Sequence, residues 1–193
     1  MHALVVTEGV VLGKRGVGEA NIFLAILTRE RGLLKASARS ARREASKLRY
    51  ALEPLTLATY TFVRGKHEWK LIGAQDAERL LPADTPLVAR RATARAARLL
   101  LRLVHGEEKN DALYTTFSEG LRALAAAAPE ALPHIETVLV LRVLAHLGYL
   151  PQTPELAPFM EGDFFSHELA AEVERSRAIL AKAINDSLSA TGL

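Results

Sequence analysis

The chain has 193 residues, of which 49% are apolar and 24% charged, as is typical of a soluble globular protein with one large or two small domains. It contains no cysteine, which excludes disulfide bonds, thiolate zinc sites and cysteine nucleophiles. No apolar run reaches the roughly 18 residues that a membrane helix needs. Glu8 comes early with no basic stretch before it, so we expect no signal peptide.

The first 75 residues predict five strands. Apolar and β-branched segments alternate there with Gly, Pro and charged turn residues. We expect strands over residues 3–12, 21–28, 33–38, 55–63 and 67–74. Between them we expect a glycine-rich turn over 13–18, a hairpin loop over 29–32, a basic loop or single helical turn over 40–52 closed by Pro54, and a tight turn over 64–66. This pattern favours a small Greek-key barrel such as the OB-fold.

From residue 76 onward the pattern indicates helices. We expect them over residues 86–104, 111–127, 132–147 and 168–188, with Gly148 as a stop and Ser166 as a cap. Three prolines predict a loop over 150–163. The predicted fold class is therefore α+β. A five-stranded OB-fold barrel would occupy residues 1–76, and an all-α helical domain would occupy residues 77–193.

Positive charge is concentrated in the predicted barrel. Residues 1–75 hold 13 Lys and Arg against 6 Asp and Glu, a net charge of +7, whereas the remainder carries −4. Residues 39–49 alone hold five cations and two serines. Cations neutralise phosphates, and hydroxyls can bond to phosphate oxygens. A basic loop at the rim of a barrel therefore indicates a nucleic-acid site, and a solvated basic loop is the alternative.

Further cations extend this candidate DNA-binding set. Its members are Lys14, Arg15, Lys35, Arg39, Arg42, Arg43, Ser46, Lys47, Arg49, Lys66 and Lys70, and Arg64 adjoins the last two. Trp69 and Tyr60 could stack on bases, although a core position is more typical of both.

A second basic surface is predicted on the first helix. Arg91, Arg95, Arg98 and Arg102 fall on one helical stripe, with Arg90 beside it. The stripe is either a solvated face or a contact for a second DNA strand or an acidic partner.

Enzymatic motifs are lacking. Residues 13–18 form neither a phosphate-binding loop nor a dinucleotide fingerprint, because a strand rather than a helix follows them. The six histidines show no metal spacing, and nothing resembles a catalytic triad.

Several short segments are together typical of one known family. They are residues 9–15 (GVVLGKR), 18–19 (GE), 26–36 (ILTRERGLLKA), 38–43 (ARSARR), 46–49 (SKLR), 52–55 (LEPL) and 147–151 (LGYLP). In these segments the chain resembles the bacterial RecO family of recombination mediators. The resemblance is dense over residues 4–75 and thin in the helical body.

The resemblance implies a bacterial cytoplasmic, nucleoid-associated protein without a cofactor. It would bind single- and double-stranded DNA, anneal complementary strands, and act with RecR and single-strand-binding protein in loading RecA. The resemblance also implies that the acidic tail of single-strand-binding protein docks on the helical domain. Many members carry a four-cysteine zinc element soon after the LGYLP segment. Residues 152–165 have no cysteine, so we expect no zinc, and the chain also looks short at its C-terminus.

Two other functions remain open from the residues alone. An OB-fold factor that binds RNA would show the same basic loop and barrel. A non-catalytic adaptor could use the arginine stripe to dock an acidic protein segment. An enzyme is a third and more distant alternative.

Overall fold

The computed structural model describes residues 4–17, 21–39, 48–66 and 68–192. They form two compact units. The first contains the residues up to Ala83 together with Val104–Tyr114, and the second contains Asp84–Leu103 and the residues from Thr115 onward. The chain therefore leaves the first unit, returns to it, and leaves it again.

Five strands of the first unit close into a barrel with the order β1-β2-β3-β5-β4. They are β1 (Leu4–Val17), β2 (Asn21–Thr28), β3 (Gly32–Ala38), β4 (Thr56–Arg64) and β5 (Trp69–Arg79). All neighbours pair antiparallel except β3 and β5, which are parallel through Ala36 with Trp69 and Ser37 with Lys70. This order is that of an OB-fold, and the predicted fold is confirmed.

The barrel core explains why the strands alternate. Side chains on successive strand residues point to opposite faces, so Ile22, Leu24 and Ile26 of β2 all enter the core. Tyr60 and Trp69 also lie there, only 0% and 4% exposed. Burial raises the pKa of the Tyr60 hydroxyl, which donates to the Ala51 carbonyl at 2.7 Å. The base-stacking hypothesis is wrong for both rings, and their core assignment is confirmed.

The first strand is longer than the sequence predicts. Residues 13–18 were predicted to form a turn, but Gly13–Val17 continues β1, paired with β2 from Gly13 opposite Ala25 to Val17 opposite Asn21, and Gly18 lies outside the described residues. The pairing of β1 with β2 shifts register between Val11 and Gly13, as it does at a β-bulge. Lys14 and Arg15 are therefore strand residues and not turn residues.

Five helices follow the barrel. They are α1 (Leu87–Leu103), α2 (Asp111–Ala126), α3 (Leu132–His146), α4 (His167–Arg175) and α5 (Arg177–Ala190). The single last helix predicted over 168–188 is wrong, because the chain breaks at Ser176 into α4 and α5. The Ser166 cap is confirmed by its hydroxyl, which accepts from the Leu169 amide at 3.4 Å. Gly148 ends α3 with a φ of +76°.

Candidate nucleic-acid interface

Strand register assembles a transverse row of side chains on the outer face of the barrel. Arg15 of β1 pairs with Phe23 of β2, Phe23 with Ser37 of β3, and Ser37 with Lys70 of β5. Paired residues project from the same face, and neighbouring strands lie about 4.8 Å apart. The four residues therefore cross the sheet in one line.

More cations flank this row, which we call the outer row. Lys35 lies two residues before Ser37 on β3 and is exposed, so it projects from the same face. Arg39 is exposed just beyond the end of β3, and Lys66 is exposed in the turn between β4 and β5. In OB-folds, the β2–β3 face and the loops beside it commonly hold oligonucleotides.

Two predicted cations lie apart from the outer row. Lys14 pairs with the buried Leu24, and its Nζ forms an ion pair with Glu53 Oε1 at 2.9 Å. Arg49 is exposed in a turn beside Tyr50, a residue that is 72% exposed. Arg42, Arg43, Ser46 and Lys47 lie outside the described residues.

One carboxylate also belongs to this face. Glu68 Oε1 accepts a hydrogen bond from the Ser37 hydroxyl at 2.7 Å. Its carbonyl accepts from the Gly65 amide at 2.9 Å, which closes the β4–β5 turn. The negative charge therefore lies two residues before Lys70 in sequence and contacts Ser37, in the middle of the outer row. Sequence reasoning, which assigned cations and one serine to the site, missed this carboxylate.

Arg64 is engaged away from the outer row. Its guanidinium lies 4.9 Å from the centroid of the Trp69 ring and 2.9 Å from Glu107 Oε1. The same carboxylate oxygen accepts from the Trp69 indole at 2.9 Å. Glu107 belongs to Val104–Tyr114, which returns to the first unit after α1. Arg64 therefore stabilises this returning segment.

The second unit splits the predicted arginine stripe. Arg95 makes a two-pronged contact with Glu136 of α3, at 2.7 and 2.6 Å, and this hydrogen bond raises its pKa. The Nε of Arg90 donates to the Thr85 carbonyl at 2.9 Å. Arg91, Arg98 and Arg102 are exposed on α1. The stripe thus offers three solvent-facing cations and two that help to hold the helix.

Part of the loop after α3 is organised by a buried arginine. Arg142 is 5% exposed and donates to the carbonyls of Phe159, Gly162 and Glu161 at 2.8, 2.9 and 2.5 Å. Its guanidinium also lies 4.6 Å from the centroid of the Phe164 ring.

Among the described residues there is no group of three His, Asp or Glu side chains arranged to hold a metal ion. Within the same described ranges, no helix is both long and apolar enough to cross a bilayer.

The barrel topology puts the first unit in the OB-fold class, and comparison with known families is more specific. The family model "Recombination protein O N terminal" matches residues 1–75, and "Recombination protein O C terminal" matches residues 92–155. The chain belongs to the RecO family of DNA repair and recombination proteins, and the predicted resemblance is confirmed.

Similar proteins support the same assignment. The DNA repair protein RecO of Synechococcus sp. is 30% identical over 146 residues, which cover 70% of this chain and 51% of that protein. That of Gloeothece citriformis is 33% identical, over 75% of this chain and 51% of its own. That of Streptomyces griseus is 33% identical, over 78% and 63%. The chain thus spans between half and two-thirds of the length of these relatives.

Proposed function

We propose that this chain is a DNA-binding recombination mediator that acts in DNA repair without covalent chemistry. The observation that carries the proposal is the outer row, in which Arg15 and Lys70 flank Phe23 and Ser37 on the face where OB-folds hold nucleic acids. Lys35, which is exposed, adds a third cation to this face. Family membership supports DNA as the nucleic acid.

Binding and annealing would both be electrostatic. Cations that neutralise phosphates release condensed counterions, which drives binding and makes it dependent on salt. A cationic surface that screens two backbones also lowers their repulsion, so complementary strands can pair while bound. Single- and double-stranded DNA are both suitable ligands for such a surface.

The two predicted domains would bind different ligands. The barrel, predicted over residues 1–76 and extended by β5 to Arg79, would hold DNA. The helical domain, predicted over residues 77–193, would present Arg91, Arg98 and Arg102 to a second strand or to the acidic tail of single-strand-binding protein. RecR and the loading of RecA complete the proposed set of partners, in the bacterial cytoplasm at the nucleoid. Carboxylates suit exposed guanidinium groups because charge-assisted hydrogen bonds are strong.

Salt dependence tests the DNA site directly. Changing Arg15, Lys35 and Lys70 together to Gln removes three cations of the outer face. The slope of log K against log salt for single-stranded DNA should flatten by about two units, at roughly 0.7 per phosphate contact. Fluorescence anisotropy with labelled oligonucleotides at several salt concentrations measures both the affinity and the slope.

A charge-matched control separates the site from net charge. Arg175, Arg177 and Lys182 are exposed on α4 and α5, and changing them to Gln removes the same total charge. This variant should keep the wild-type slope. An unchanged slope in the outer-face variant would contradict the proposal, and stronger binding to RNA of equal length would favour the RNA-binding alternative.

The helical surface needs its own test. Arg91, Arg98 and Arg102 changed to Glu should abolish binding of an acidic peptide that copies the tail of single-strand-binding protein. Affinity for naked single strands should stay largely intact. Arg95 is left unchanged because it pairs with Glu136, and its loss would disturb packing between α1 and α3. If the triple variant binds the peptide as tightly as the wild-type chain does, these arginines form only a solvated face.

A further inference from the structure

One aromatic side chain of the barrel is placed differently from the others. The described strands contain four aromatic residues: Phe23, Tyr60, Phe62 and Trp69. The last three are between 0% and 4% exposed and belong to the core. Phe23 lies on the outer face, is partly exposed, and is the one strand aromatic among the described residues that is outside the core cluster.

The residues in register with Phe23 across the sheet are polar or cationic. Arg15 lies one strand away on one side, Ser37 lies one strand away on the other, and Lys70 lies beyond Ser37. At about 4.8 Å per strand, the positions of the two cations lie roughly 5 and 10 Å from that of Phe23. A planar ring between two cations offers a surface for a base, with a phosphate-binding group on each side.

The backbone that carries the ring is fixed by its strand. Ile22 and Leu24, its neighbours on β2, are 3% and 0% exposed in the core. Both flanking strands pair with β2 at Phe23. Little backbone freedom remains to be lost when a ligand stacks, and preorganised groups bind more tightly for that reason.

We propose that Phe23 stacks on an unpaired base and makes the outer face prefer single-stranded over double-stranded nucleic acid. The proposal rests on the function proposed above and adds the residue that discriminates between the two ligands. Arg15, Lys35 and Lys70 recognise phosphates, which both ligands present. An aromatic ring requires a free base face, and within a duplex those faces are already stacked on neighbouring bases.

The test compares two affinities in one variant. Phe23→Leu keeps an apolar side chain of similar burial but removes the aromatic face. Its Kd for a 20-nucleotide oligo-dT should rise about tenfold, the effect of one base–aromatic stack. Its Kd for a 20-base-pair duplex should stay within about twofold at the same salt concentration. Loss of both affinities in equal proportion, or of neither, would overturn the assignment.

A rescue variant and a control complete the experiment. Phe23→Trp should restore single-strand affinity, and its new fluorescence should be quenched on adding oligo-dT, because the chain's own tryptophan, Trp69, is buried. Tyr50→Leu removes the ring of a residue that is 72% exposed but lies off the outer row, and this variant should keep the wild-type ratio of affinities. Equal losses in the Phe23 and Tyr50 variants would also overturn the assignment. Failure of the proposed function is distinguishable, because the wild-type chain would then bind neither ligand.

Discussion

Arg142 shows how much one buried side chain can contribute to the stability of the fold. Its guanidinium satisfies three loop carbonyls, and burial lowers its pKa. Arg142→Met should lower the free energy of unfolding by about 3 kcal/mol, because buried carbonyls lose charge-assisted hydrogen bonds. Urea denaturation followed by circular dichroism at 222 nm measures this loss. Arg177→Met, at a side chain 73% exposed, should leave the midpoint unchanged, and an equal shift in both variants would contradict the assigned role.

His146 should make stability depend on pH. Its Nε2 lies 2.9 Å from the Thr116 hydroxyl, and burial, assisted by the charge of Arg142, lowers its pKa. The unfolded chain, with the ordinary pKa near 6.5, therefore binds the proton more readily than the folded chain. Stability from this group is complete above that value and is lost as the pH falls through the lowered pKa.

The prediction is checked by comparing urea midpoints at pH 7.5 and 5.5. His146→Gln should lose less stability on acidification than the wild-type chain, since an amide keeps a polar contact with Thr116 but does not titrate. Exposed His167, changed to Gln, should behave as wild type. Burial also lowers the pKa of His134, so a smaller acid dependence should persist in the His146 variant.

At the scale of the element, the segment Val104–Tyr114 is the part of the first unit that sequence reasoning did not anticipate. The Leu33 amide of β3 donates to the Gly106 carbonyl at 3.3 Å. A Cβ on Gly32, whose φ is +59°, would clash with the carbonyl oxygen of Glu108. The segment therefore packs against the start of β3 so closely that residue 32 must be glycine.

Glu107→Ala tests how much this returning segment contributes. The change removes the acceptor shared by Arg64 and the Trp69 indole. Stability should fall by about 1 kcal/mol, because the carboxylate is partly exposed. Trp69, the single tryptophan, reports the change as a red shift in its emission. Glu108→Ala, at the exposed neighbouring position, should leave both the emission and the midpoint unchanged.

Strands and helices were largely predictable, whereas their ends and partners were not. The number of strands and the alternation of apolar residues indicate the OB-fold from sequence, because apolar periodicity is visible without any tertiary information. Glycines at 13 and 16 look like a turn, yet pairing with β2 keeps both in the ladder. The break at Ser176 carries neither glycine nor proline, so no local signal marks it. Tertiary packing decides such positions.

The candidate site was also predictable from the sequence only in part. Cations can be counted in a sequence, and Arg15, Lys35 and Lys70 were identified by charge. Phe23 was missed because only strand register puts it between Arg15 and Ser37. Tyr60 and Trp69 were considered for stacking because of their residue type alone, and the barrel buries both. The acidic neighbour Glu68 was missed because its contact with Ser37 joins residues 31 positions apart.

For the whole molecule, a cut between Ala83 and Asp84 should not release the barrel. Val104–Tyr114 belongs to the first unit, where Lys109 pairs with Glu30 and Asp111 pairs with Arg29. A protease site inserted at this boundary would yield two fragments that co-elute in gel filtration after cleavage. Urea should then separate them. Fragments that separate without denaturant would show that the returning segment contributes little.

The division of the first unit into two chain segments also has a consequence for synthesis on the ribosome. The last strand ends at Arg79, but the segment that packs on β3 ends only at Tyr114. At about 5–20 residues per second, the nascent barrel waits roughly 2 to 7 seconds for that segment to be translated. During this interval the start of β3 lacks its neighbour and Trp69 lacks its acceptor. The emerging chain therefore has a period in which a chaperone could bind a surface that the finished protein covers with its own residues.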